Sequence, residues 1–285
     1  MKDYRSPLRH FVYSLPFLFC LMSAGTLQAQ TTYQVGFGYT DILDTYLSQE
    51  KFTGKASLNF LTTREVTSEG QSLVGCAGSV CQPLRPYRWA SLVQNQVHFS
   101  TAKDRAENDA IIEAMYNFYY GRYYNLGLGG PFSLRAGGLG TAGLGFIYNT
   151  RNSNNPVNAR LGLQVMPSVI AGYHFRLIRW SGRGNRAGHV NLRYQADVPL
   201  VGVVFSPNYG QSYYELFSLG NYDHNIVPTT FVSQPTFRQQ FTVEYNASNR
   251  LVLTVGYLGD YQQLKVNNLK QHVYNHALMV GFMTR

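Results

Sequence analysis

From His189 to Val198 apolar and polar residues alternate without a break. Val190, Leu192, Tyr194, Ala196 and Val198 point one way, and His189, Asn191, Arg193, Gln195 and Asp197 the other. A period of two is what a strand needs when one face is apolar and the other polar. Between Asn158 and Leu177 the same pattern runs on: Ala159, Leu161, Leu163, Val165, Val169, Ala171, Tyr173, Phe175 and Leu177 oppose Asn158, Arg160, Gln164, Ser168, His174 and Arg176. A strand of that length exceeds what a soluble sandwich uses. It suits a tilted strand that crosses a bilayer and projects beyond it.

Shorter stretches repeat the pattern. Ala56, Leu58 and Phe60 oppose Ser57 and Asn59; Ala110 to Tyr120 sets apolar residues against Glu113 and Asn117; Phe237, Phe241, Val243 and Tyr245 oppose Arg238, Gln240, Thr242 and Glu244. After the tight turn Asn246 to Asn249, Leu251, Leu253, Val255 and Tyr257 resume the apolar face, and the closing segment carries Tyr274, Leu278, Val280 and Phe282. Strands are predicted near 32–43, 55–63, 89–101, 109–121, 132–148, 158–177, 188–200, 236–245, 250–263 and 270–282. The stretches 122–130 and 202–233 could add two more. The expectation is an all-β chain, a single transmembrane antiparallel β-barrel of about twelve strands, with ten to fourteen allowed. The glycine stretch Gly137 to Gly145 looks like a nucleotide loop, but it lies in a strand-like region with no helix after it. Glycines there let a strand bend or a neighbour pack closely.

The head of the chain says where such a barrel would live. Lys2, Arg5 and Arg9 precede an apolar run from Phe11 to Met22, and small and polar residues follow up to Ala29. That is a secretory signal peptide over residues 1–29, leaving 30–285 as the barrel. Cys20 is preceded by Phe19, which excludes a lipid-attachment site. Composition agrees with export to an outer membrane: charged residues are 14%, while Tyr (22), Phe (17) and Gly (27) are abundant. The net charge is +9, and loss of Lys2, Asp3, Arg5 and Arg9 removes +2, leaving +7. The excess favours anionic solutes or lipid phosphates, and no basic-aromatic stripe points to nucleic acid. Cys76 and Cys81, in a Gly/Ser-rich segment of an exported chain, read as a disulfide-closed loop; a metal site would need ligands that are not nearby.

Candidate chemistry lies on the polar faces. Pointed inward, Arg160, His174, Arg176, His189, Arg193, Asp197, Arg238 and Glu244 share a lumen. They either pair and fill it, or line a narrow channel or binding tunnel with a preference for a small anionic solute. His272 and His276 have no carboxylate beside them and read as interface residues. No phosphate-binding loop, zinc-protease motif or nucleophile elbow occurs, so no cofactor and no metal are expected. The expected partners are outer-membrane lipids and the barrel-assembly machinery, which reads an aromatic near the end such as Phe282.

Three loop-like motifs, Asp44 to Ser48 (DTYLS), Arg151 to Pro156 (RNSNNP) and Ser206 to Glu215 (SPNYGQSYYE), stand out with the late segment QHVYNHALMVGF. As a set they resemble an uncharacterised family of outer-membrane barrels of Gram-negative gut bacteria. The resemblance implies the barrel and no activity. A local likeness is to outer-membrane phospholipase: His98 would be the base, Ser100 the nucleophile and Asn108 the orienting group of a lipid hydrolase. Yet His98 and Ser100 share a face with Gln94 and Gln96, which reads as lumen. The leading expectation is a barrel without catalytic activity, acting as narrow channel, binding site or envelope scaffold.

Overall fold

The computed structural model describes residues 30–67, 75–77, 80–82, 88–128, 130–153, 155–177, 188–246 and 251–284. Residues 1–29, where a signal peptide is expected, lie outside them. Long strands β1 (Gln30–Asp44), β2 (Lys51–Thr67), β5 (Trp89–Lys103), β6 (Ala110–Asn125), β7 (Phe132–Asn149) and β8 (Val157–Leu177) follow one another as antiparallel neighbours. Between β2 and β5 the short β3 (Gly75–Ala77) and β4 (Val80–Gln82) form a separate ribbon. Then come β9 (Gly188–Asp197), β10 (Val201–Phe205), helix α1 (Tyr213–Phe217), β11 (Ile226–Thr230), β12 (Phe237–Asn246), β13 (Leu251–Val266) and β14 (Leu269–Thr284). The ring closes because β14 pairs with β1 and β9 pairs with both β8 and β12.

Ten strands make that ring, and β10 and β11 stand outside it. The expected twelve is thereby corrected. Residues 202–233 do supply two strands, but they form a hairpin on the far half of β8 (Val201↔Val165, Phe205↔Leu161). Pro199 interrupts what would be one strand from β9 into β10. Residues 122–130 supply no separate strand; β6 runs through to Asn125. Among the described residues the outer edge of β11 has no partner strand. Ser206 N bonds Asn225 O, so by alternation Pro228 falls where its nitrogen points away from β10 and blunts that edge.

The register shows both the size of the ring and why it belongs in a membrane. From Leu161 the paired partners run Leu144, Tyr116, Val97, Phe60, Val35, Val280, Val255, Val243, Leu192 and Tyr173. One circuit therefore shifts the chain by twelve residues, from 161 to 173. With a rise of ~3.3 Å and a strand spacing of ~4.8 Å, ten strands tilt by roughly 40°, as closed barrels do. Every residue on this outward circuit is Leu, Tyr, Val or Phe. One residue over, the circuit reads Gly162, Gly143, Asn117, Gln96, Leu61, Gln34, Gly281, Thr254, Glu244, Asn191 and His174, polar or glycine except at Leu61.

The buried face is thus the polar one, the reverse of a soluble sheet protein. Among the described residues no helix is long and apolar enough to cross a membrane; the strands make the crossing. This is an outer-membrane β-barrel. Gly137 to Gly145 lies inside β7. A Cβ at Gly137 would stand 2.1 Å from Arg122 O and one at Gly145 2.4 Å from Ala114 O, so glycine allows the wall to pack there and no nucleotide loop exists.

Candidate functional site

The lumen is filled in layers. At the end where β1 begins, Glu65 takes Arg135 Nη1 at 2.9 Å and is also paired with Arg193. Glu244 accepts from Asn191 Nδ2 at 2.9 Å, and the His174 and His189 rings stack 5.6 Å apart. Arg193, Glu244, His174 and His189 therefore face the lumen, as the alternation predicts. Arg176 is on β8 opposite His189, with its side chain outside the described residues. Glu65 and Arg135 were not anticipated. Glu65 lies past the predicted end of its strand, and the glycines of β7 hid the periodicity that would have turned Arg135 inward.

In the middle Arg238, 1% exposed, is the hub. Its Nη1 donates to Asp197 Oδ2 (2.9 Å) and Gln94 Oε1 (3.1 Å), its Nε to Gln96 Oε1 (3.3 Å), and its guanidinium lies 4.4 Å from the Tyr119 ring centre. Asp197 also accepts from Ser168 and Gln195. A desolvated arginine is tolerable because its planar donors meet fixed acceptors and a ring face.

One layer further, Glu113 is 1% exposed and accepts from Arg160 Nη1 at 2.7 Å, from Ser100 Oγ at 3.1 Å, and meets His98 Nε2 at 3.1 Å. The other imidazole nitrogen, Nδ1, is 3.1 Å from Asn59 Oδ1. This arrangement does not build the phospholipase-like triad. The Ser100 hydroxyl donates to Glu113 rather than to His98, and both ring nitrogens are engaged elsewhere. Asn108 is exposed in the 104–109 turn, where its backbone N donates to Asp104 Oδ1 at 2.7 Å. Ser100 faces the packed lumen at 3% exposure, away from any lipid ester.

At the far end the three motifs singled out in the sequence meet and form a cap. Asp44 Oδ2 accepts from Asn158 Nδ2 (2.7 Å) and Gln271 Nε2 (2.9 Å), and Tyr46 N bonds Asp44 Oδ1 (3.1 Å). Asn152 Nδ2 reaches Leu47 O (2.9 Å), and Tyr46 OH donates to Gln211 O (2.9 Å). Tyr213, on α1, takes Ala159 N at 2.6 Å and donates to Asn158 Oδ1 at 3.1 Å. Ser212 caps the helix: its Oγ accepts from Glu215 N at 3.2 Å and donates to Glu215 Oε1 at 3.2 Å. Burial pushes the Tyr213 hydroxyl up to about 12, and the bond from Ala159 N pulls the other way. Beneath it Ile42, Tyr46, Phe52, Ile111, Ile147 and Val273 pack into an apolar plug.

Among the described residues the lumen holds a cavity of about 70 Å³, room for a few waters and far below the ~300 Å³ of the smallest metabolite pockets. Among the described residues no group of three His, Cys, Asp or Glu side chains could hold a metal ion. On the outer face His276 stacks on Tyr39 (4.5 Å) and lies 2.6 Å from Tyr257 OH, and His272 stacks on Tyr274. Backbone pairing sets Cys76 opposite Cys81 across β3 and β4; the disulfide expected there concerns side chains outside the described residues.

A family model described as "Protein of unknown function (DUF3316)" matches residues 24–285. The chain belongs to that family. Its cap is where the three motifs come together, a feature of assembly that no one motif expresses. No curated protein matches the chain. Among solved structures, the translocator domain of the autotransporter NalP from Neisseria meningitidis aligns at 10% identity over 98% of this chain and 95% of its own, with a TM-score of 0.39. The transport unit of the autotransporter AIDA-I from Escherichia coli aligns at 8% identity over 98% and 96%, TM-score 0.43. The outer-membrane protease OmpT from Escherichia coli aligns at 9% identity over 90% and 96%, TM-score 0.42.

Proposed function

We propose that this barrel is a non-catalytic, non-conducting envelope scaffold, held in the outer membrane by its apolar wall and kept shut by its own interior. The observation that carries the reading is the fate of the lumenal charges. Arg160, Arg193 and Arg238, expected to attract a solute, are each bound to a buried carboxylate: Glu113, Glu65 and Asp197. A guanidinium already neutralised and desolvated offers an anion little. The cap adds a second barrier at one end. The channel alternative needs those arginines free, and the lipid-hydrolase alternative needs Ser100 at the lipid face.

The outer circuit of Leu, Tyr, Val and Phe supports bilayer lipid as the constant partner. The test is a planar-bilayer recording of the purified protein beside a phospholipid-vesicle hydrolysis assay with Ser100→Ala as control. Silence in both supports the scaffold. Conductance steps reduced by Arg193→Ala would restore the channel, and cleavage lost with Ser100→Ala would restore the hydrolase.

A further inference from the structure

Every lysine after residue 29 stands on one rim of the barrel. Lys51, Lys55, Lys103, Lys265 and Lys270 are all exposed, all at the cap end, and all within the neighbouring strands β5, β2, β1, β14 and β13. Among the described residues the carboxylates of the ring strands turn inward, Asp41 excepted. Asp41 takes Lys51 at 2.8 Å, and Glu107 lies 3.8 Å from Lys103. Lys55, Lys265 and Lys270 have no carboxylate partner among the described residues. Asp223, in the loop that Asn267 Nδ2 holds through His224 O at 3.0 Å, is itself paired with His224.

Lys265 and Lys270 oppose each other directly at the tip of the β13–β14 hairpin. The turn between them is fixed by Asn267 and Asn268, both in the left-handed region (φ 51° and 60°), as a two-residue hairpin turn requires. Val266 and Leu269, the next pair inward, are buried, so the register turns both lysines to the outside. Like charges set opposite each other on a sheet destabilise it. An anion between the two ammonium groups removes that cost. Down the outer face of β14 from the tip, Lys270 is followed by His272, Tyr274, His276, Leu278 and Val280. Cation, then polar-headed aromatic, then apolar is also the order of phosphate, ester and acyl chain along a membrane lipid.

We propose that this hairpin tip binds the phosphate of an anionic phospholipid, held between Lys265 and Lys270, with the acyl chains on the wall below. Unlike the lumenal arginines, these cations are exposed and unneutralised, so their charge is free to act on a headgroup. Lysine suits the task, because its flexible stem lies along apolar surface while the ammonium reaches the headgroup layer. Lys55, beside Tyr39 where β2 bulges, places a third unpaired cation on the far side of β1. A zwitterionic headgroup brings its own cation and gains less from the same clamp. This names the lipid of the scaffold proposed above and rests on that wall facing a bilayer.

The experiment uses the full barrel folded into phosphatidylcholine vesicles with and without phosphatidylglycerol. Lipid retained by the released barrel is counted by native mass spectrometry, and stability is read as a urea midpoint. Wild type should retain phosphatidylglycerol over phosphatidylcholine by about tenfold, and Lys265→Gln/Lys270→Gln should bring the ratio to within about twofold. Lys270→Glu separates binding from structure. It turns a like-charge pair into an opposite one, so the midpoint in phosphatidylcholine should rise, while the gain on adding phosphatidylglycerol should fall by at least about half. Heat-modifiable gel migration confirms that each variant folds. Equal retention of the two lipids by wild type overturns the proposal, as does a folded double variant that keeps the wild-type ratio. Displacement of the lipid by an equal concentration of inorganic phosphate would overturn the lipid assignment. A barrel that folds into neither vesicle refutes the lipid-facing wall instead, so the two failures are told apart.

Discussion

Replacing Glu113 by Leu should be among the most damaging single changes in the barrel. The carboxylate is 1% exposed and joins Arg160, His98 and Ser100. Its loss leaves the Arg160 guanidinium, 11% exposed, without its carboxylate in a water-poor lumen. Breaking a buried pair in this way costs about 3–5 kcal/mol. With a denaturant slope of about 3 kcal/mol per molar urea for a chain this size, the midpoint should fall by about 1–1.7 M. Ser100→Ala removes one bond from a carboxylate that keeps two others, so about 1 kcal/mol and about 0.3 M are expected. The double variant Glu113→Leu/Arg160→Leu should recover at least half of the single loss, because both charges leave together. Urea titration in vesicles, followed by the gel shift of the folded barrel, measures all three. If Glu113→Leu moves the midpoint no further than Ser100→Ala does, the lumen is wet enough to hydrate Arg160 and the closed-barrel argument fails.

Tyr213→Phe should loosen the cap by about 1–2 kcal/mol through loss of two bonds, seen as faster proteolysis within residues 206–225. The same hydroxyl sets a pH limit. Its folded value, about 12, lies above the ordinary 10, so its contribution is intact below pH 10 and is lost as pH rises toward 12; equal protease resistance at pH 9 and pH 11.5 would count against it. Leu278→Arg, at a site 63% exposed, would be harmless on a soluble protein but should cost about 2–4 kcal/mol in a bilayer, and unchanged vesicle folding would contradict the lipid-facing assignment. Cys76 and Cys81 should appear as one cross-linked peptide in an unreduced digest; two alkylated thiols would refute the pairing.

Alternation was enough to set most wall strands, β7 with its glycines apart, because a two-residue period has one solution once the polar face is the buried face. The residues from His189 to Asp197 and from Asn158 to Arg176 show this: each inward assignment that the described side chains can test agrees with the fold. The same local signal could not count the ring. Whether Val201 to Phe205 enters the circuit or rides on β8 depends on which edge it pairs with, and pairing is a contact between distant segments. Glu65 and Arg135 escaped notice for a related reason: neither has meaning until β2 and β7 bring them to 2.9 Å across the lumen. His98, Ser100 and Asn108 err the other way, being close in sequence yet separated by a strand that carries two of them inward and a turn that carries the third into solvent. The chain by itself therefore determined the wall, its two faces and its membrane. Closure, the pairing of the lumenal charges and the cap were decided only in three dimensions, because each is made by side chains or strand edges that the sequence keeps far apart.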